Sequence, residues 1–297
     1  MDFHLVEMTS RACLGNVEND DAAGAVRTKA STYAWVIDGG TSLADENYVG
    51  AALGDVAWFA HALSDAIARH AGRELSARDL HALAAAAVAQ DYAAALRTRT
   101  GTVPLYACPI AAITIIRITG TADGCRGDLF HLADCPAFTM ARDGHVTRIT
   151  DSDNVEAENR VRARVMASQS AHGFAPKAIM AVQKPWLRER REMQLRARPC
   201  PISTPAADAS FAGVGRSIDL AAVDALILMS DGFERYATEY ALGDDRDMIK
   251  AISRDGADAV LERVRAIERS DEQCRSFPRL KASDDATCLV LGRAAAR

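Results

Sequence analysis

At 297 residues, with 49% hydrophobic and 25% charged side chains, the chain is long enough for one large domain or two small ones, and its composition is ordinary for a globular protein. A net charge of −5 argues against nucleic acid as a partner, since that interaction draws on basic patches. No window reaches the roughly 18 uninterrupted apolar residues that span a bilayer. The start Met1-Asp-Phe-His-Leu-Val-Glu7 lacks the basic segment and apolar run of a secretion signal, so no membrane partner is expected.

A short strand is expected near Asp2 to Met8. After a polar turn, Ala22–Val26 is expected to pair with Tyr33–Asp38. Apolar residues recurring every three or four positions predict a helix over Tyr48–His70. A second begins after Ser76, with Asp79 three residues on to complete the cap, and runs to about Arg97. Pro104–Thr119, rich in Ile and Thr, reads as a strand, and Asp128–Asp134 and Pro136–Met140 follow as further strands. Asp143-Gly144 between alternating segments signals a hairpin. Residues 151–220 carry many charges, two helices (Val155–Gln169 and Ala175–Arg196) and a segment with Pro199, Pro201 and Pro205. Because the strand pattern resumes at Ala225, this stretch reads as a helical insertion or flap within one domain spanning 1–297. One or two helices are expected over Asp245–Arg269, and a last strand over Ala286–Leu291. Antiparallel-looking strand groups with helix pairs between them suit an α+β sandwich better than a repeating βαβ wind.

Two apolar runs end alike, Tyr33-Ala-Trp-Val-Ile-Asp38-Gly39 and Ala225-Leu-Ile-Leu-Met-Ser-Asp231-Gly232. Each reads as a buried strand delivering an aspartate at its tip, followed by a glycine that lets the backbone turn sharply. With the acidic pairs Asp20-Asp21 and Asp284-Asp285, four segments bring carboxylates to one place. Alone, Asp20-Asp21 reads as a solvated turn, Asp38-Gly39 and Asp231-Gly232 as strand-ending turns, and Asp284-Asp285 as surface. A cluster of them repels itself and is expensive to bury uncompensated, so it is expected to hold a cation. The seven cysteines are scattered with no Cys-x-x-Cys, which suits reduced thiols and a cytoplasmic location. The seven histidines show no His-x-x-x-His spacing, so the metal is expected to be a hard, oxygen-bound one. His131, between apolar strand positions, reads as structural.

In order along the chain, the motifs resemble those of the metal-dependent serine/threonine protein phosphatases of type 2C. Glu18-Asn19-Asp20-Asp21-Ala22 is similar to the family's Asn-Glu-Asp-Ala signature, and Val36-Ile37-Asp38-Gly39-Gly40 to its apolar-Asp-Gly loop. Leu132-Ala133-Asp134-Cys135 stands where Gly-Asp-Ser is usual. Met229-Ser230-Asp231-Gly232-Phe233 resembles the Ser-Asp-Gly motif, and Ser283-Asp284-Asp285-Ala286-Thr287 the closing Asp-Asn-x-Thr. The resemblance implies a four-layer α-β-β-α sandwich, two packed antiparallel sheets flanked by helix pairs, with two Mn²⁺ or Mg²⁺ ions in a cleft at one edge. It implies that Asp38 bridges the ions, helped by the Gly39 carbonyl, that Asp21 sits on one and Asp231 with Asp284 on the other, and that Asp134 matches a residue associated with a third, looser ion. Asp20 replaces a glutamate that acts through water. The implied reaction is phosphomonoester hydrolysis by a water bridging two metals, on phosphoserine or phosphothreonine in a phosphorylated protein substrate.

The chain departs from that pattern in places. Asn16 stands where many members have a phosphate-gripping arginine, and Arg11 is out of register. The arginines around Leu187–Arg198 and Arg216 are candidate replacements, against their reading as an exposed basic helix face. Gly40-Thr41-Ser42 replaces a histidine proposed as general acid in some relatives, and Ile110-Ala-Ala-Ile-Thr114 lacks a small-residue Ser/Thr motif. Two further readings follow: a catalytically weak or inactive phosphatase-fold binding module, and a phosphatase for a small phosphorylated molecule.

Overall fold

Along β3 (Ser31–Gly39), Ala34 and Val36 face one way and Tyr33, Trp35 and Ile37 the other, and all five are buried. Such a strand belongs inside a layered fold. The computed structural model, which describes residues 3–50, 52–97, 99, 101–122, 124–151, 155–206 and 210–293, places it there. One five-stranded antiparallel sheet has the order β1 (Phe3–Arg11), β10 (Ala286–Arg293), β9 (Val223–Met229), β6 (Ala137–Ala141), β7 (Val146–Arg148). The other runs β2 (Ala22–Arg27), β3, β4 (Ala111–Thr121), β5 (Gly124–Leu132), β8 (Val214–Asp219).

The inner faces meet through Val36, Ile116 and Leu129 from one sheet and Leu226, Leu228 and Leu289 from the other. Outside the second sheet, α1 (Asp55–His70) and α2 (Ala77–Leu96) lay Phe59, Leu63, Ile67, Leu80 and Val88 over Tyr33, Trp35 and Ile37. Outside the first, α5 (Asp231–Thr238), α6 (Asp245–Asp255) and α7 (Ala257–Ser270) cover Ile227 and Met229 with Phe233, Met248, Ile252, Val260 and Leu261. The architecture is thus the expected α+β sandwich, layered α-β-β-α. Each of these large side chains contributes about 1.5–3 kcal/mol on burial, and the buried Trp35 indole N–H donates to Ser64 Oγ at 2.9 Å. The remaining helices, α3 (Val155–His172) and α4 (Pro176–Arg196), fall in the charged stretch after the hairpin.

Several boundaries differ from the sequence reading. The first helix begins at Asp55, not Tyr48, because the Asp55 carboxylate accepts the N–H groups of Tyr48 (2.6 Å) and Val49 (2.9 Å) and holds that segment as a loop. Pro104–Ile110 is not strand. Leu105–Ala107 forms a single 3₁₀ turn, and β4 starts only beyond Pro109, which has no N–H for a ladder. β1 extends to Arg11, and Asp2 lies outside the described residues. β8 is a mostly exposed edge strand without apolar alternation, and α5 is eight residues long, so neither left a readable period. Ser76 caps α2 by accepting the Asp79 N–H at 3.1 Å, and Gly144 turns the hairpin at φ +78°. The stretch Asp245–Arg269 splits into two helices at Gly256, where φ is +86°.

Candidate functional site

Strand register brings the four acidic segments to one end of the sandwich. Ala22 lies opposite Ile37, so Asp21 enters β2 beside the Asp38 end of β3. Cys288 lies opposite Met229, so Asp284, just before β10, returns beside Asp231, just after β9. The two sheets are joined there directly: Asp38 Oδ2 accepts the backbone N–H of Asp231 at 3.2 Å.

Gly39 and Gly232 serve a different purpose from the sharp turn expected of them. Neither has a left-handed φ, and Gly232 lies within α5. What they permit is close approach. A Cβ on Gly39 would collide with the Asp20 carbonyl and come within 2.6 Å of Val56, and one on Gly232 would collide with the Asp285 carbonyl. Each Asp-Gly tip is therefore pressed against the backbone of the opposing acidic pair.

Burial and mutual repulsion dominate the electrostatics. The Asp38 carboxyl lies well above the usual carboxylate range, first because it is buried, then because Asp231, Asp21, Asp134 and Asp284 surround it with negative charge. Asp21 is only 1% exposed, is also pushed well up by burial, and its Oδ2 has no hydrogen-bond partner among the described residues. Burial and then Asp284 raise Asp231. Asp20 is pushed up to about 6, by burial and then by Asp285.

Asp284 behaves oppositely. Burial pushes it up, but Lys281 and Arg235 outweigh that and hold it below the usual range. Lys281 Nζ donates to its Oδ1 at 2.8 Å and Arg235 Nη2 to its Oδ2 at 2.6 Å. Sequence reasoning missed both cations. Arg235 sits four residues after Asp231 on a helix that was not expected, and no motif marks Lys281. Asp285 was also left without a role, yet its carboxylate accepts the N–H groups of Cys13 (2.8 Å) and Asp20 (3.2 Å) and so ties the N-terminal acidic loop to the C-terminal one.

Asp38, Gly39, Asp134, Asp231 and Asp284 line a cleft of about 720 Å³, while Asp20 and Asp21 lie outside its walls. Among the described residues, no group of three or more His, Cys, Asp or Glu side chains is arranged to hold a metal ion as it stands. The chemistry of the donor set nevertheless fits a hard divalent cation. Asp21 has an orphaned buried oxygen, and the repulsion among Asp21, Asp38 and Asp231 is what a cation relieves. Asp284 already accepts one charge-assisted hydrogen bond on each oxygen.

The other residues singled out fall as follows. Asn16 is exposed in the loop after β1, and Arg11 is paired with Asp258 and Glu262. His131 Nδ1 is 2.9 Å from Thr114 Oγ1 in the sheet interior. Arg216 pairs with Asp151. The basic face of α4 is not simply exposed. Arg188 donates to the Leu43 carbonyl and pairs with Asp45, as Lys184 does, and Arg191 is buried against the cleft. All seven cysteines are free thiols, and among the described residues no helix is long and apolar enough to cross a membrane.

The family profile described as Protein phosphatase 2C matches residues 13–268. A search of curated proteins finds no match. Similar solved structures include a bacterial serine phosphatase (12% identity, TM-score 0.53, covering 99% of this chain and 100% of that one). The serine/threonine phosphatase Stp1 from Staphylococcus aureus is 12% identical with TM-score 0.53, covering 97% and 94%. The catalytic domain of the serine/threonine phosphatase PstP, solved with two manganese ions, is 15% identical with TM-score 0.52, covering 98% and 97%. At these identities the structures speak to the fold, and the profile, spanning most of the sequence, to descent: the chain belongs to the protein phosphatase 2C family.

Proposed function

We propose that the protein hydrolyses phosphomonoesters with the help of divalent metal, its substrates being phosphoserine and phosphothreonine in proteins. The observation that carries this reading is the convergence of the charges of Asp21, Asp134, Asp231 and Asp284 on Asp38 at the wall of an open cleft. Family membership supports it, as do the two manganese ions of PstP and the magnesium of RsbX, a structure of TM-score 0.50 and 9% identity. In this reading Asp21, Asp38, Asp231, Asp284 and the Gly39 carbonyl hold two Mn²⁺ or Mg²⁺ ions, and Asp134 a third. Bound, such ions acidify water and neutralise charge on a phosphoryl group.

The chain's own residues then have separate tasks. Asp38 spans the two sheets and, through the Asp231 N–H, keeps the two strand tips in fixed relation. Asp20, raised to about 6 in the metal-free protein by burial and then by Asp285, takes the place of a group acting through water. Hydrolysis of p-nitrophenyl phosphate and of phosphothreonine peptides should depend on Mn²⁺, stop with EDTA, and be lost in Asp38→Asn. Metal-independent turnover, or full activity in that variant, overturns the proposal.

A second reading is a partner-binding module on the phosphatase fold, without turnover. The pairing of Asp284 with both Lys281 and Arg235 favours it, because internal cations already neutralise one carboxylate of the set. No Mn²⁺ uptake by calorimetry, together with no turnover, would select this reading.

A further inference from the structure

The wall of the cleft contributed by α4 holds a cation that has no counter-charge among the described residues. Arg191 is 6% exposed, lies on the cleft that contains Asp38, and donates from Nη2 to the Thr41 carbonyl at 3.0 Å. That nitrogen would be 3.5 Å from a Cβ on Gly40, so the guanidinium rests on the Gly40-Thr41 segment immediately after the Asp38-Gly39 tip. Among the described residues no carboxylate pairs with it. The other deeply buried arginines of the wall are paired, Arg235 with Asp284 and Arg279 with Asp271. Burial accordingly pulls the Arg191 pKa down, to about 10. An isolated buried guanidinium is expensive, and an anion entering the cleft removes that cost. The planar fork of five N–H donors, with only the one bond to Thr41 described, matches two oxygens of a phosphate.

We propose that Arg191 grips the phosphate of the substrate from the helical side of the cleft, in place of an arginine from the N-terminal loop; this rests on the phosphatase reading above. Three of the alternatives are committed elsewhere: Arg11 to Asp258 and Glu262, Arg216 to Asp151, and Arg188 to Leu43 and Asp45, while Arg190, also on the cleft, is less buried than Arg191. A purely mechanical role remains to be separated from it, since Arg188 and Lys184 on the same helix clamp the 43–45 segment.

The test compares the full chain with Arg191→Met and Arg191→Lys. Calorimetry reads binding of inorganic phosphate to the Mn²⁺-loaded protein and, separately, of Mn²⁺. Kinetics with a phosphothreonine peptide reads KM and kcat. Phosphate affinity is expected to weaken about 10–100-fold in Arg191→Met and about fivefold in Arg191→Lys, which keeps the charge but loses the fork. KM should follow, and Mn²⁺ affinity should stay within about twofold of wild type. Phosphate affinity unchanged in either folded variant overturns the proposal, as does no phosphate binding by wild type. An equal loss of Mn²⁺ affinity overturns it too, being the mark of a loop clamp. Should Arg191→Met fail to fold, Arg191→Lys decides. Phosphate binding that depends on Arg191, without turnover by wild type, sinks the hydrolysis reading and leaves the grip standing.

Discussion

The Asp285 carboxylate accepts the backbone N–H of Asp20 at 3.2 Å across 265 residues of sequence, and the N–H of Cys13 at 2.8 Å. The same residue's carbonyl presses on Gly232. Three of the four acidic segments thus meet at Asp285, through its carboxylate and its carbonyl, although its neighbour Asp284 is the one expected to touch metal.

Asp285→Ala should therefore unfasten the N-terminal loop, leaving two N–H donors unsatisfied at a cost of about 1–3 kcal/mol. Asp285→Asn, which keeps an accepting oxygen, should lose less. Urea unfolding measures the stability difference, and Mn²⁺ titration should show weaker binding in the alanine variant. Equal stability of all three proteins would refute the role.

Asp38→Asn is expected to act in opposite directions on activity and stability. Turnover should fall on the order of 100-fold or more. In EDTA the variant should be more stable than wild type, by roughly 1–2 kcal/mol, because one of several repelling buried carboxylates becomes neutral. Thermal denaturation in EDTA and in Mn²⁺ checks both halves, since metal should reverse the order.

Metal-free protein should lose stability as pH rises from about 4 toward 6. Asp20, raised to about 6 by burial and Asp285, and Glu234, raised to about 6 mainly by burial, both bind protons more tightly folded than unfolded. Their contribution is present below the unfolded values and is lost as pH climbs through the folded ones. After screening, the loss should be on the order of 2 kcal/mol. Urea midpoints in EDTA measured from pH 4 to 7 should trace this fall, and a flat profile would contradict it.

Lys281→Met should release Asp284 from one of its two cations and tighten Mn²⁺ binding about tenfold, since one charge-assisted hydrogen bond no longer competes with the metal. Calorimetry reads this directly. Weaker Mn²⁺ binding would mean that Lys281 orients Asp284 for the ion instead of competing with it.

Gly232→Ala should destabilise the protein by about 2–3 kcal/mol, because its Cβ would meet the Asp285 carbonyl, and backbone does not yield as a flexible side chain does. Gly72→Ala, where a Cβ meets nothing within 4 Å, is the control and should be near neutral. Comparable thermal midpoints for the two variants would show the contact to be unimportant.

Much of this architecture is local in origin and so was legible in the residues themselves. Alternating apolar faces mark β3, Asp143-Gly144 marks the hairpin, Ser76 with Asp79 marks the start of α2, and the order of five acidic and glycine motifs marks the family and its sandwich. Each depends on neighbours a few positions apart, where side-chain period and turn chemistry act. Other features exist only once the two sheets have packed. Gly39 and Gly232 are glycines because carbonyls of Asp20 and Asp285 arrive against them, not because the chain turns there. Asp284 is neutralised by Lys281 and Arg235, and Arg191 on a charged helix is buried beside Asp38's loop, with no carboxylate partner among the described residues, instead of solvated. Periodicity reports which face of an element is apolar. Which charge ends up beside which is decided by contacts across the whole chain, and in a buried cluster those contacts decide protonation, metal affinity and grip.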